Sequence, residues 1–245
     1  MIEFKTGVIK PIECFKEAWE LIKDQYWLLF GITLVGALIG GFSMYILLGA
    51  MLCGIYYCYL QKIDGKTVSF DGLWVGFEKF LPSFVLVILI VIPLIAVYVI
   101  IYVPIIMAAI MGSKLSSNEL TQLFIAAFAI DAVLIILMTC FHTLLMFSFP
   151  LIIDRNLGAW QSITVSAKAV WNNLGGIAGM LGVAIVGSIL ASVLTCGIGA
   201  YFVMPIMFAG YALAYRKIFP AIGNQPFNPP PPNAFHGAGS YNSEI

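Results

Sequence analysis

Long apolar runs separated by short polar segments dominate this chain. From Trp27 to Leu60 there is no charged residue. As a single helix that run of 34 residues would reach about 51 Å, well beyond a hydrocarbon core of about 30 Å. The glycines of "IGGFS" at 39–43 offer a break, so two short helices are expected, about 27–41 and 43–61. The next run, 81–111, contains Pro82, Pro93 and Pro104, which kink a helix but are tolerated in a membrane where neighbours satisfy the freed backbone. "GSKLSSNEL" at 112–120 reads as a polar loop, and a fourth run covers 121–153. Two more helices, about 174–196 and 200–215, flank "CGIGA". The pattern therefore predicts six crossings in three hairpins. The middle hairpin is the longest, with about 30 residues or 45 Å per arm, so it must tilt or project on the outer side.

Three polar intervals carry a helical stripe of their own. In "PIECFKEAWELIKDQYW" the apolar positions are Phe15, Ala18, Trp19, Ile22 and Tyr26. In "SFDGLWVGFEKFLP" they are Phe70, Leu73, Trp74, Phe77 and Leu81. In "NLGAWQSITVSAKAVWNNL" they are Trp160, Ile163, Ala167, Val170, Trp171 and Leu174. Stripes of this kind, with Trp at headgroup depth, suit helices lying in the membrane interface. Ser69 and Asn156 are the expected N-caps of the second and third. The first and third units also echo each other: "KEAW" at 16–19 and "KAVW" at 168–171 each precede a hairpin whose second helix carries Gly-x4-Tyr, at Gly54–Tyr59 and Gly210–Tyr215. Small residues on the first and fifth runs (Gly36 and Gly40; Ala184, Ser188, Ser192 and Cys196; Gly187, Ala191, Thr195 and Gly199) are expected to pack the first, fifth and sixth spans together.

Composition puts this pattern in a bilayer. The chain is 61% hydrophobic and 10% charged, against about 45–50% and 25% for a soluble domain. Zero net charge leaves no basic footprint for nucleic acid. Charge also orients the spans. With the N-terminus inside, the inner segments hold eleven Lys and Arg (Lys5, Lys10, Lys16, Lys23, Lys62, Lys66, Lys79, Arg155, Lys168, Arg216, Lys217) and the outer loops hold Lys114 alone. The fold class expected is an all-α polytopic membrane protein of about six transmembrane helices in three hairpins, each preceded by an interfacial amphipathic helix on the cytoplasmic side. Residues 1–26 form a cytoplasmic amphipathic segment, 27–217 the six-helix domain, and 218–245 a disordered, Pro-rich cytoplasmic tail.

Four polar residues are the candidates for function. Asp131, Thr139 and His142 share a face of the fourth span, since 11 residues make almost three turns. Asp131 lies 19 residues before Pro150, about 29 Å, which carries it to the outer interface, whereas His142 lies about 12 Å deep. The readings open for them are helix packing and a functional ionisable site. Asp154, beside Arg155, is expected first as a cap of the surface helix that follows. The five cysteines show no CxxC pair or metal spacing and read as small hydrophobes. No metalloprotease, hydrolase or phosphate-loop motif occurs, so neither a catalytic set, a metal nor a cofactor is expected.

"IDGKTVSFDGLWVGFEKFLP" at 63–82 and "FPLIIDRNLGAWQSITVSAKAVWNN" at 149–173 resemble a broad family of bacterial inner-membrane proteins, similar to the membrane portion fused to some glycerophosphodiester phosphodiesterases. The resemblance covers most of 8–217 and rests on Gly65, Phe70, Phe77, Pro150, Asp154, Ser166 and Trp171. It implies about six helices, an inner-membrane home and no activity to transfer. The function expected is a non-enzymatic membrane protein that organises lipids or membrane partners. The alternatives are a small-solute transporter or channel using the fourth-span stripe, and an accessory to lipid metabolism.

Overall fold

The computed structural model describes residues 3–111 and 116–221, and among them every regular element is helical. Nine α-helices follow in order: α1 Pro11–Ile22, α2 Tyr26–Phe42, α3 Leu48–Ile63, α4 Phe80–Met111, α5 Ser117–Leu145, α6 Ser148–Arg155, α7 Ala159–Asn172, α8 Leu174–Leu194 and α9 Gly199–Ile218. Two 3-10 helices, Lys23–Gln25 and Phe70–Lys79, complete the list for the described residues. Part of the expected polar loop, including Lys114, and most of the expected disordered tail lie outside the described residues.

Four stretches are long and apolar enough to cross a membrane: Pro11–Phe42, Phe70–Met107, Ser117–Arg155 and Leu174–Leu194. The two remaining candidates, α3 and α9, carry a weaker apolar signal for a physical reason. α3 has 16 residues, most of them buried inside the protein, and α9 carries Pro205 and the basic pair Arg216 and Lys217. The expected length difference is present: α4 and α5 have 32 and 29 residues, against 17, 16, 21 and 20 for α2, α3, α8 and α9. Beyond about residue 90 of α4, and before about residue 142 of α5, large apolar side chains such as Ile92, Ile95, Phe128 and Ile136 are exposed.

Each amphipathic segment packs against the outgoing helix of the preceding hairpin, and the last hairpin returns to the first segment. The 3-10 helix Phe70–Lys79 lies on α3, α7 lies on α5 and α6, and α1 lies on α9. The first of these contacts is the closest. Glycine at 54 and 76 lets backbone meet backbone, and Gly72 receives the Cys58 thiol; a Cβ added at Gly76 would collide with the Ala50 carbonyl oxygen and sit 2.6 Å from the Gly54 nitrogen. At the ring's closure, Gly210 of α9 receives the ring of Phe15, and Gly176 and Gly179 of α8 receive Ile9 and Pro11. Thus the two glycines of the sequence echo, Gly54 and Gly210, each seat a neighbouring amphipathic segment. The two tyrosines, Tyr59 and Tyr215, are both fully buried.

The structure corrects several sequence expectations. α2 runs straight through Gly40 and Gly41; the chain turns at 43–47, where Met44 and Tyr45 take positive φ. Gly40 stays helical with Leu48 packed against it, and Gly36 is covered by Ile55 and Leu73. The GxxxG thus joins α2 to α3. On α8, Gly182 and Gly187 meet nothing within 4 Å. Other members of the expected ridges do join α8 to α9: Ser188 on Met207, and Gly199 under the Ala191 carbonyl. α2 meets α9 through aromatic rings, with Phe30 stacked on Phe202 at 5.2 Å. Asn156 is not the N-cap of α7: it ends α6 in a left-handed conformation, and Gly158 precedes α7. Ser69 does precede the 3-10 helix but makes no capping bond.

The fourth run is also not one helix. It breaks between α5 and α6, and Ser166 of α7 repairs the break. The Phe147 N–H donates to the Ser166 hydroxyl at 3.2 Å, and that hydroxyl donates to the Leu144 carbonyl at 2.7 Å. A fully buried side chain so replaces the backbone bonds that a bend inside an apolar layer would leave open.

Candidate functional site

The outgoing helices α3, α6 and α9 end close together, and their last residues are charged. Arg216, in the last turn of α9 and beyond its apolar length, forks onto Asp154 at the end of α6, with both N–O distances 3.0 Å. The same guanidinium reaches Asp64, which caps α3, at 2.8 Å. The Tyr215 hydroxyl donates to Asp154 at 2.8 Å. Arg155 pairs with Asp154 at 3.0 Å and donates to the carbonyl of Pro220. Two carboxylates and two guanidiniums make a neutral cluster, with each side chain 11–20% exposed. Burial works against the Arg216 charge, but the bonds and charge of Asp154, with the charge of Asp64, outweigh it and raise its pKa above the ordinary range. Asp154 therefore ties the end of α6 to that of α9, and Arg216 carries the tie on to α3; Asp154 does not cap α7.

Around this knot lie looser ties, Lys217 to Glu17 at 2.7 Å and Lys62 to Asp24 at 2.6 Å. Each has an acid half or more exposed, so each contributes little.

Asp131, Thr139 and His142 do line one face of α5, and they divide between two grooves. Asp131 accepts a hydrogen bond from Tyr102 of α4, and Tyr102 stacks on Tyr98 at 4.1 Å between ring centres. These three residues line a groove of about 350 Å³ between α4 and α5. The acid end of the stripe, expected at the outer interface, is thus held by a protein donor. Tyr102 was the missed partner, and the i, i+4 pair Tyr98 and Tyr102 in an otherwise apolar run was its signal. Thr139 and His142 line a different groove, of about 430 Å³, together with Tyr56, Ile177, Leu181 and Tyr211. A smaller one of about 310 Å³ adjoins it and shares Tyr56, His142, Met146 and Tyr211. His142 Nδ1 lies 2.8 Å from the Met138 carbonyl oxygen, and Thr143 donates to the Thr139 carbonyl at 2.6 Å.

Cys14, Cys53 and Cys58 are buried, while Cys140 and Cys196 are exposed; all five are free. Among the described residues no group of three or more His, Cys, Asp and Glu could hold a metal ion. Comparisons with protein-family models, with curated proteins and with solved structures each return no match to this chain. A functional reading therefore has to come from the geometry.

Proposed function

We propose that this chain is a non-enzymatic integral protein of the bacterial cytoplasmic membrane that organises lipids or membrane partners around itself. The observation that carries the reading is the outward set of aromatic residues on the three amphipathic segments. Trp19, Trp74, Trp160 and Trp171 are 42–69% exposed. The opposite face of each segment is small and buried: Cys14 and Ala18, Leu73 and Gly76, Ser162, Ser166 and Ala169. Each segment thus presents one oily face to the protein and a second, aromatic one away from it. A side chain that is apolar in body and polar at the tip is most stable at headgroup depth.

In this reading the six-span layout holds, with α3 and α9 as the protein-lined crossings and α2, α4, α5 and α8 as the lipid-facing ones. The eleven-to-one charge bias puts the Asp64–Asp154–Arg216 knot, both termini and the tail on the cytoplasmic side. The resemblance to inner-membrane proteins belongs to the same proposal. The second reading, small-solute transport, draws on the groove that holds Thr139 and His142. Most of that groove's walls are apolar, as at Ile135, Met138, Ile177 and Leu181, which suits hydrocarbon better than a hydrated solute. An accessory role in lipid metabolism remains a third reading without a feature of its own.

Reconstituted vesicles separate the readings. The protein is expected to add no solute flux over protein-free vesicles, and to retain lipids or a membrane partner when extracted in mild detergent and weighed by native mass spectrometry. Saturable flux that His142→Leu abolishes would overturn the proposal in favour of transport.

A further inference from the structure

The grooves around His142 combine apolar walls with polar atoms that the fold itself leaves unused. Tyr56 is only 7% exposed, yet its hydroxyl makes no hydrogen bond to any described residue and faces the two grooves it lines. The hydroxyl is not one of the buried polar atoms left without a partner, so it opens to the grooves and is free to meet a ligand there. Tyr211 lines the same two grooves, and its hydroxyl also has no partner among the described residues. His142 supplies the complementary group. A carbonyl oxygen only accepts, so at 2.8 Å from the Met138 oxygen Nδ1 is a donor. The tautomer that carries its one proton there leaves Nε2 able to accept. The grooves therefore offer hydroxyl groups that can donate and an imidazole nitrogen that can accept.

Depth decides what such a set can bind. Tyr56 precedes Asp64 by eight residues, about 12 Å of helix, and Tyr211 precedes Arg216 by five, about 7 Å. The polar atoms thus lie on the apolar side of the ionic knot, where a phosphate or ammonium would have to shed its water without a counter-charge. An uncharged head bearing a hydroxyl meets no such penalty and matches both the donor and the acceptor. The remaining walls, including Leu52, Ile90, Met204 and Phe208, suit a hydrocarbon chain. A groove of about 430 Å³ is within the usual range of small-molecule sites, about 300–1,000 Å³. Its rim residue Ile135 is 66% exposed, so a chain can enter sideways from the bilayer.

We propose that Tyr56, Tyr211 and His142 form the head-group site for a neutral, hydroxyl-bearing long-chain lipid, whose chain lies in the groove between α3, α5, α8 and α9. This rests on the lipid-organising reading above and names the class of lipid. Two sources share that chemistry, a diacylglycerol and a single-chain alcohol.

The test uses the full chain in phosphatidylcholine nanodiscs with photoactivatable, clickable analogues of a long-chain alcohol, a diacylglycerol and a phosphatidic acid. A neutral probe is expected to label peptides containing residues 135–146 or 204–211, and unlabelled lipid of the same class should compete. Labelling by the alcohol alone assigns a single-chain ligand, and labelling by the diacylglycerol alone a two-chain one. Tyr56→Phe deletes one hydroxyl and is expected to weaken apparent binding about fivefold to tenfold. Ile135→Trp should fill the groove and abolish labelling, while Leu190→Trp, an exposed position away from it, should not. Each variant must elute from gel filtration like the parent. Equal labelling by phosphatidic acid, or neutral labelling that ignores both Tyr56→Phe and Ile135→Trp, would overturn the site. That failure leaves the vesicle-flux result untouched, so it is distinguishable from failure of the function proposed above.

Discussion

Arg216→Met is expected to be the most damaging single substitution at the polar end of the bundle. It removes the one side chain that binds Asp154 and Asp64 together. Those carboxylates are 16% and 20% exposed, so water replaces the guanidinium poorly. Breaking a buried pair by deleting one partner costs about 3–5 kcal/mol, because the other charge stays behind uncompensated. For a chain of this size that corresponds to a fall of roughly 10 °C in apparent Tm. Arg216→Lys should lie between, since an ammonium keeps the charge but cannot fork onto Asp154 while reaching Asp64. Asp154→Leu combined with Arg216→Met should be less damaging than the sum of the two single changes, as expected for groups in direct contact. Thermal unfolding of the detergent-solubilised protein measures all four. A melt of Arg216→Met within about 2 °C of the parent would mean the knot does not hold the helix ends together.

Gly76→Ala and Gly54→Ala are expected to detach the 3-10 helix Phe70–Lys79 from α3. The added Cβ of Gly54→Ala would collide with the Leu73 carbonyl oxygen, and that of Gly76→Ala with the Ala50 carbonyl oxygen. Both obstacles are backbone, which cannot rotate aside as a side chain can. Overpacking a well-filled core costs about 1–3 kcal/mol. Here relief requires the whole segment to lift, exposing Leu73, which is now fully buried. The loss should reach or exceed the top of that range. Helix positions with open space around them give the contrast. Gly31 and Gly187 have nothing within 4 Å, so alanine there should be neutral or stabilise by up to about 1 kcal/mol. Limited trypsin digestion reads the detachment directly: faster cleavage at Lys66 and Lys79 in Gly76→Ala, unchanged in Gly187→Ala. Equal cleavage in both would contradict the packing argument.

Much of the element list was legible in the sequence, because hydrophobic periodicity is a local signal. The three amphipathic stripes at 11–22, 70–79 and 159–172 and the two long middle helices came from spacing alone. What stayed hidden was long-range or depended on a partner. Arg216 lies 152 residues from Asp64 and 62 from Asp154, and no period connects them. Asp154 was singled out for its neighbour Arg155, and its second partner changed its reading from cap to junction. The glycines at 40 and 41 marked the break to within a few residues: α2 ends at Phe42 and the turn follows at 43–47, while Gly40 itself stays helical with Leu48 packed against it. The bend after Leu145 was invisible because the side chain that satisfies it, Ser166, comes from another helix. The small ridge of α3, with Gly49, Ala50, Cys53, Gly54 and Cys58, was written in the sequence. The equally visible small residues of α8 are only half-buried along most of their ridge, although Ser188 and Ala191 do meet α9. A small-residue stripe says that something can approach closely; it does not say what does.

The account stands or falls on whether the three amphipathic segments share one membrane interface, and the five native tryptophans, Trp19, Trp27, Trp74, Trp160 and Trp171, are built-in reporters of that. All five are exposed, at 42–71%. Their fluorescence should be measured in vesicles of phospholipid brominated at shallow or at deep positions of the acyl chain. The account predicts strong quenching by shallow bromines and weak quenching by deep ones, with the same ranking in variants that keep only Trp19, Trp74 or Trp160. Quenching that is absent for any one of these segments, or strongest for the deep bromines, would contradict it.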